Sequence, residues 1–168
     1  MKLTMCIVGC GGYARNVLGD IHDMTDEFEF YFASRDIEKA QQYSEDFGGV
    51  GAFGSYEEAA SDPRIQSLYF FTPHDTHLGN VKLAASHGKH ILIEKPIART
   101  LDEAQEMVRI ARDAGVKLMV AENYRFLSAV LKAKELVEAG RLGQLRLIQV
   151  QEQYPFEPSG WRNQAELN

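Results

Sequence analysis

The run Leu68-Tyr69-Phe70-Phe71 has no polar face, so a strand built from it must be covered on both sides. Sheets covered on both sides are mostly parallel, with helices forming the two outer layers. The rest of the sequence supplies those layers in alternation. Leu3 to Val8 reads as a first strand, and Val17, Leu18 and Ile21 share one side of a helix expected from Tyr13 to Met24. Glu29 to Ala33 is the second strand, followed by a helix that Asp36 can cap and that Gly48-Gly49 stops after Phe47. A short strand at Gly51 to Phe53 precedes Ser55 and Glu58, which match a capping box for a brief helix ending near Asp62-Pro63.

Gln66 to Phe71 is the apolar strand, and His74 to His87 reads as a helix with Leu78, Val81, Ala84 and Ala85 inward. His90 to Ile93 is the next strand. Thr100 and Glu103 offer a second capping box for a helix running to Gly115, and Lys117 to Ala121 completes the sheet. One more amphipathic helix, Ser128 to Ala139, precedes a long strand-like stretch from Gln144 to Tyr154. That last stretch either docks as an edge strand on the main sheet or begins a second domain, and the second reading is favoured.

A chain of 168 residues, 45% hydrophobic and 25% charged, has the composition of an ordinary globular protein with a core of its own. Its formal net charge of −6 disfavours nonspecific attraction to nucleic acid or anionic lipid, so neither is expected as a partner. The apolar N-terminal segment is too short for a signal peptide and leads straight into a glycine turn, which gives an expectation of cytoplasmic location. Cys6 and Cys10 are the two cysteines, expected as free thiols. His74 and His77 lack an acid at convincing ligand spacing, and no metal is assigned.

Three segments carry chemistry. Gly9-Cys10-Gly11-Gly12-Tyr13-Ala14 fits G-x-G-x-x-G/A between the first strand and first helix: Gly9 permits the turn, Gly11 lets backbone approach a pyrophosphate, and Ala14 allows close packing. Phosphates would sit on the helix N-terminus, where free N–H groups and the helix dipole favour negative charge. After the second strand, Ser34-Arg35 stands where an NAD-binding fold usually has an acid for the ribose hydroxyls. A hydroxyl and a guanidinium suit a 2′-phosphate, which favours NADP over NAD. Asp36 beside them could cap a helix or take the ribose contact of an NAD enzyme. Finally, Glu94-Lys95-Pro96 ends the fifth strand: alone it could be a solvated ion pair before a turn, but at the carboxyl edge of an open α/β sheet a lysine can meet cofactor and substrate.

Together these segments resemble the Gfo/Idh/MocA oxidoreductase family, whose N-terminal Rossmann domain has the glycine turn, a T-P-x-x-x-H segment and the E-K-P tripeptide. The matching segments here are Gly9 to Ala14, Thr72-Pro73-His74-Asp75-Thr76-His77 and Glu94-Lys95-Pro96, joined by Ala121-Glu122-Asn123-Tyr124-Arg125-Phe126 and Gly160-Trp161-Arg162. The resemblance implies that Lys95 lies beside the nicotinamide and exchanges a proton or hydrogen bond with the substrate oxygen during hydride transfer. It also implies that Glu94 contacts the nicotinamide ribose and that the Lys95–Pro96 bond is cis. Thr72, Pro73, His74 and His77 would line the cofactor site, with His74 where the family commonly has Asn. Asn123, Trp161 and Arg162 would border the cofactor, and Tyr124 and Arg125 the substrate.

The expected fold is therefore α/β, a Rossmann-type doubly wound parallel sheet over residues 1–122, with 123–168 as the start of a truncated α+β C-terminal domain. Family members are roughly twice as long, and the second catalytic pair, D-x-x-x-H, belongs to the half not seen here. With its neighbours absent, the strand from Gln144 would expose unpaired backbone groups, so either a homo-oligomer formed through Gln144 to Tyr154 or a fragment of a longer protein is expected. The implied activity is an NAD(P)-dependent dehydrogenase acting on a hydroxyl or carbonyl carbon of a sugar, cyclitol or related polyol. A non-catalytic dinucleotide-binding fragment or sensor is the alternative. A methyltransferase with a similar glycine loop has no use for Ser34-Arg35 or Glu94-Lys95-Pro96.

Overall fold

The computed structural model describes residues 2–21, 24 and 26–151. Six strands form one sheet: β1 (Leu3–Val8), β2 (Phe28–Ala33), β3 (Gly51–Phe53), β4 (Ser67–Phe70), β5 (His90–Ile93) and β6 (Leu118–Val120). Their order is β3-β2-β1-β4-β5-β6, and every neighbouring pair is parallel. The chain therefore works outward from β1 in one direction, returns to β4 on its other side, and continues outward the opposite way. That reversal between β1 and β4 is the switch point at which open α/β sheets hold ligands.

Helices cover both faces, as the apolar run in β4 requires. α1 (Gly12–Ile21) and α2 (Ile37–Asp46) lie on one face, where Ala14, Leu18, Ala40 and Tyr43 pack with Ile7, Phe30, Phe32 and Tyr69. On the other face, α3 (Tyr56–Ser61), α4 (His77–Ser86) and α5 (Leu101–Asp113) bring Ala59, Ala60, Val81, Ala84 and Met107 against Val8, Leu68, Phe70, Ile91 and Ile93. Adjacent residues such as Tyr69 and Phe70 serve opposite cores, since side chains alternate across a strand.

The helix starts follow their caps. Asp36 Oδ1 accepts from the backbone N–H groups of Glu38 and Lys39 at 3.1 and 3.4 Å. Ser55 and Thr100 each accept from the N–H three residues on, at 3.1 and 3.2 Å. The reciprocal half of both capping boxes shifts by one residue: Glu58 accepts from Gly54 N–H and Glu103 from Arg99 N–H, each preceding the cap itself. The helix expected from His74 also begins later, because His74–Thr76 form a 3-10 turn whose N–H of His77 bonds His74 O.

A second compact unit begins at Glu122. Within it, Asn123–Phe126 form a 3-10 turn and α6 spans Ser128–Glu138. The strand expected from Gln144 is not formed over residues 144–151, which carry no ladder hydrogen bonds. Alternating apolar residues alone do not make a strand; a partner edge does, and none pairs with this segment among the described residues. The expected self-association rested on that edge. Residues 152–154 of the same stretch lie outside the described residues.

Lys89, before β5, is buried at 8% exposure because its ammonium donates to the carbonyls of Asp62 and Ile65, both at 2.7 Å. Burial pushes its pKa below the ordinary lysine value, against the opposing pull of Asp62. Lys89→Met keeps the apolar stem but leaves two carbonyls without a donor, so denaturant unfolding at neutral pH should show a loss of about 1–3 kcal/mol. A lowered folded pKa means that the unfolded chain binds this proton more tightly. Wild-type stability should thus rise relative to the variant as pH climbs from the lowered value towards about 10.4. Equal stabilities at neutral pH, or a gap that narrows with rising pH, would contradict this account.

Candidate functional site

Parallel strands put their carboxyl ends on one edge, and the register decides which residues meet there. Val8 pairs with Ala33 of β2 and Phe70 of β4, and Phe70 pairs with Ile93 of β5. The next residues, Gly9, Ser34, Phe71 and Glu94, therefore leave the sheet at one level. All four begin segments singled out in the sequence or border one of them.

Gly9 takes φ 101°. A Cβ there would meet the Phe71 carbonyl oxygen at 2.9 Å, so this glycine serves both the turn and the close approach of β1 to β4. Gly11 and Gly12 differ: nothing lies within 4 Å of a Cβ at either position. They open onto space above the end of α1. Gly11 O accepts from Arg15 N–H at 3.2 Å, making Gly11 the residue that starts the helix without a side chain to cap it. A group carrying negative charge fits that open end. Tyr43 on α2 holds the turn by donating from its hydroxyl to Gly11 O at 3.2 Å, a contact across the fold that local sequence does not signal. Cys10 Sγ is turned into the core, and burial pushes its thiol up to about 11, which makes it a packing residue.

At the end of β2, Ser34 is buried and its hydroxyl oxygen accepts from Asp36 N–H at 3.2 Å. Asp36 takes the first of its two expected roles through Oδ1, which caps α2, and its side chain is otherwise exposed. Arg35 is exposed, and among the described residues no carboxylate pairs with it. Tyr56, the first residue of α3, stands near enough for the Arg35 charge to oppose the upward push of burial on its phenol.

The Thr72–His77 segment divides into surface and support. Asn80 Nδ2 donates to Thr72 Oγ1 at 2.7 Å and to Thr76 Oγ1 at 3.2 Å, and Thr76 donates to Pro73 O at 2.7 Å. Pro73 and His74 are half-buried. His77, by contrast, is fully buried, with Nδ1 3.1 Å from Ile97 O and Nε2 3.1 Å from Thr72 O. It cannot line a ligand directly as expected from the motif. Instead it ties the turn after β4 to the segment after Pro96. The His74 ring stands edge-on to it at 5.5 Å.

Glu94, at 7% exposure, receives the Tyr69 hydroxyl on Oε1 at 2.7 Å and the Lys95 N–H on Oε2 at 3.3 Å. The Lys95–Pro96 bond is cis. Lys95 is exposed, with its Nζ 5.8 Å from the centre of the Tyr13 ring. Glycine turn, Thr72 turn and Glu94-Lys95-Pro96 thus share one edge of the sheet. Asn123, Tyr124 and Arg125 belong to the second unit, where Glu122 caps their turn by accepting Tyr124 N–H at 3.3 Å. Trp161 and Arg162 lie outside the described residues. No group of acids, histidines or cysteines suited to a metal occurs among the described residues, and no helix there is long and apolar enough to cross a membrane.

Comparison with known proteins agrees with this geometry. A family model described as an oxidoreductase family with an NAD-binding Rossmann fold matches residues 3–122. Mouse trans-1,2-dihydrobenzene-1,2-diol dehydrogenase is 39% identical over 115 residues, 68% of this chain and 34% of that protein. The 1-carboxy-3-chloro-3,4-dihydroxycyclo hexa-1,5-diene dehydrogenase of Comamonas testosteroni is 35% identical over 108 residues, 64% of this chain and 27% of that one. Among solved structures, a levoglucosan dehydrogenase in complex with NADH and levoglucosan superposes with a TM-score of 0.76 at 30% identity, covering 86% of this chain and 41% of that chain. The chain spans about a third of the length of the curated relatives it matches.

The two classes of glycine are separable by stability alone. Gly9→Ala places a side chain at positive φ against backbone, and thermal or denaturant unfolding should show a loss of at least ~2 kcal/mol. Gly12→Ala meets no atom, and its stability should stay within about 0.5 kcal/mol of wild type. Equal effects at the two positions would overturn the division.

Proposed function

The chain belongs to the Gfo/Idh/MocA family of oxidoreductases, and from that premise we propose that it serves an NADP-dependent dehydrogenase acting on a hydroxyl or carbonyl carbon of a sugar, cyclitol or related diol. The observation that carries the reading is the meeting of the open glycine turn and Glu94-Lys95 at the β1/β4 switch point. When bound, the nicotinamide ring would accept or return the hydride. The chain's own residues do the rest.

The free end of α1 and the backbone of Gly11 and Gly12 hold the pyrophosphate. Glu94 offers an anionic acceptor to ribose hydroxyls, and Lys95 holds or exchanges the proton at the substrate oxygen as hydride moves. Thr72, Pro73 and His74 form the wall between them, with His77 and Asn80 supporting it from behind. Asn123, Tyr124 and Arg125 are assigned to the ligand side by the resemblance of their segment. The relatives named above act on diols and on levoglucosan by their names, and the 1,2-diol among them supports a substrate with neighbouring hydroxyls.

The choice of NADP rests on Ser34 and Arg35. Asp36 Oδ1 is engaged by the α2 cap, and the exposed Arg35 guanidinium beside it supports assigning this tip to a 2′-phosphate. A planar multi-donor group is matched to phosphate oxygens rather than to a bare diol.

Two measurements test the reading. Parallel calorimetric titrations should show NADP⁺ binding more tightly than NAD⁺, with Arg35→Ala weakening NADP⁺ at least ~tenfold and leaving NAD⁺ nearly unchanged. Tighter NAD⁺ binding by the wild type would reverse the assignment. Lys95→Met, assayed against a panel of sugars, cyclitols and diols, should lower turnover at least ~100-fold while cofactor affinity is retained. Turnover that survives the substitution would remove Lys95 from the chemistry, and cofactor binding without turnover in the wild type would support a non-catalytic dinucleotide-binding role.

A further inference from the structure

We infer that Tyr69 is a positioning residue for the nicotinamide half of the cofactor site, acting through the Glu94 carboxylate; the inference rests on the dinucleotide reading above. Tyr69 lies inside β4, buried in the core beneath Glu94, and its hydroxyl is 2.7 Å from Glu94 Oε1. The other oxygen, Oε2, accepts the Lys95 N–H at 3.3 Å. Each carboxylate oxygen thus receives one donor from the protein and keeps capacity for another. Two remaining acceptor sites, one per oxygen, match a pair of neighbouring hydroxyls.

The geometry behind this pair is fixed by the sheet. Tyr69 pairs with Leu92 across β4 and β5, and side chains repeat every second residue, so Glu94 emerges on the same face one step beyond Tyr69. Phe71, next on that face, holds the Tyr69 ring at a centroid distance of 4.0 Å. Tyr13 lies 6.2 Å from Phe71, and Lys95 Nζ lies over Tyr13. One run of aromatic rings therefore backs both members of the Glu94-Lys95 pair. Burial, reinforced by the bond to Glu94, holds the Tyr69 phenol well above its ordinary pKa, so the hydroxyl remains a donor throughout the working range. Without that donor, a buried carboxylate would lose half of its internal hydrogen bonding and its fixed direction.

Tyr69→Phe tests this while keeping the ring and its Phe71 contact, so the circular dichroism spectrum should stay that of wild type while the melting temperature falls with the lost buried hydrogen bond. Calorimetry should show NADPH binding weakened about tenfold, equivalent to ~1.4 kcal/mol, with adenosine 2′,5′-bisphosphate, which lacks the nicotinamide half, bound as in wild type. A purely structural role for Tyr69 would weaken both ligands together. In a Glu94→Ala background, which has no acceptor for the Tyr69 hydroxyl, Tyr69→Phe should add little further loss of NADPH affinity, since the path through the carboxylate is already broken. Equal losses for both ligands, an unchanged NADPH affinity, or a full additive loss in the double variant each overturn the assignment of Tyr69. Failure of the wild type to bind NADPH or NADH overturns the functional reading instead, so the two failures are distinguishable.

Discussion

The close approach of β1 to β4 at Gly9 is the constraint on which the rest of the site depends. Phe71 N–H donates to Val8 O at 2.8 Å, and Gly9 N–H donates to Ala33 O at 3.0 Å, so the chain end of β1 is held from both sides as it turns. With the Phe71 carbonyl 2.9 Å from where a Cβ would stand, only glycine lets both bonds form. Because the strands on either side of β1 leave the sheet at the same level, the turn is delivered beside Ser34 on one flank and Phe71-Thr72 on the other. A site on this edge is thus set by backbone register and needs little from mobile side chains.

Support for the site comes from polar groups buried behind it. His77 faces two carbonyl oxygens, and since carbonyls only accept, a neutral ring can donate to one of them at a time. Asn80, one turn further along α4, donates to both Thr72 and Thr76, whose hydroxyl oxygens lie 3.0 Å apart, and Thr76 also reaches the Pro73 carbonyl. Such networks are costly unless each partner is satisfied, and satisfying them fixes the Thr72 turn in one arrangement. The same economy appears at Lys89, where a buried ammonium closes the loop before β4 by binding two carbonyls.

Much of this architecture is legible in the sequence because its signals are local. Asp36, Ser55 and Thr100 start their helices where the capping pattern says they should, and the strands at Gly51 to Phe53 and His90 to Ile93 coincide with the expected ones. What the sequence hides depends on contacts between distant segments. A motif lists His77 among site residues without saying that it points into the core, and alternation at Gln144 to Tyr154 resembles a strand without showing whether any edge is there to pair with it. Tyr43 and Tyr69 give no local signal either, although the period-two pattern through Tyr69, combined with the β4–β5 register, would have pointed to Glu94.

This difference explains why the tripeptide Glu94-Lys95-Pro96 is read so differently alone and in the fold. As three residues it is a solvated acid and base before a proline. At the end of β5, the acid is withdrawn to 7% exposure and fastened by Tyr69, while the adjacent base stays exposed above Tyr13. Two neighbouring side chains of opposite charge are thereby kept from neutralising each other as a simple surface pair: one is oriented by the core, the other is left facing outward. Separation of that kind suits the proposed hydride transfer, in which the carboxylate would bind hydroxyls and the neighbouring amine would serve the reacting oxygen. The aromatic run from Tyr69 through Phe71 to Tyr13 is the part of the core that maintains it.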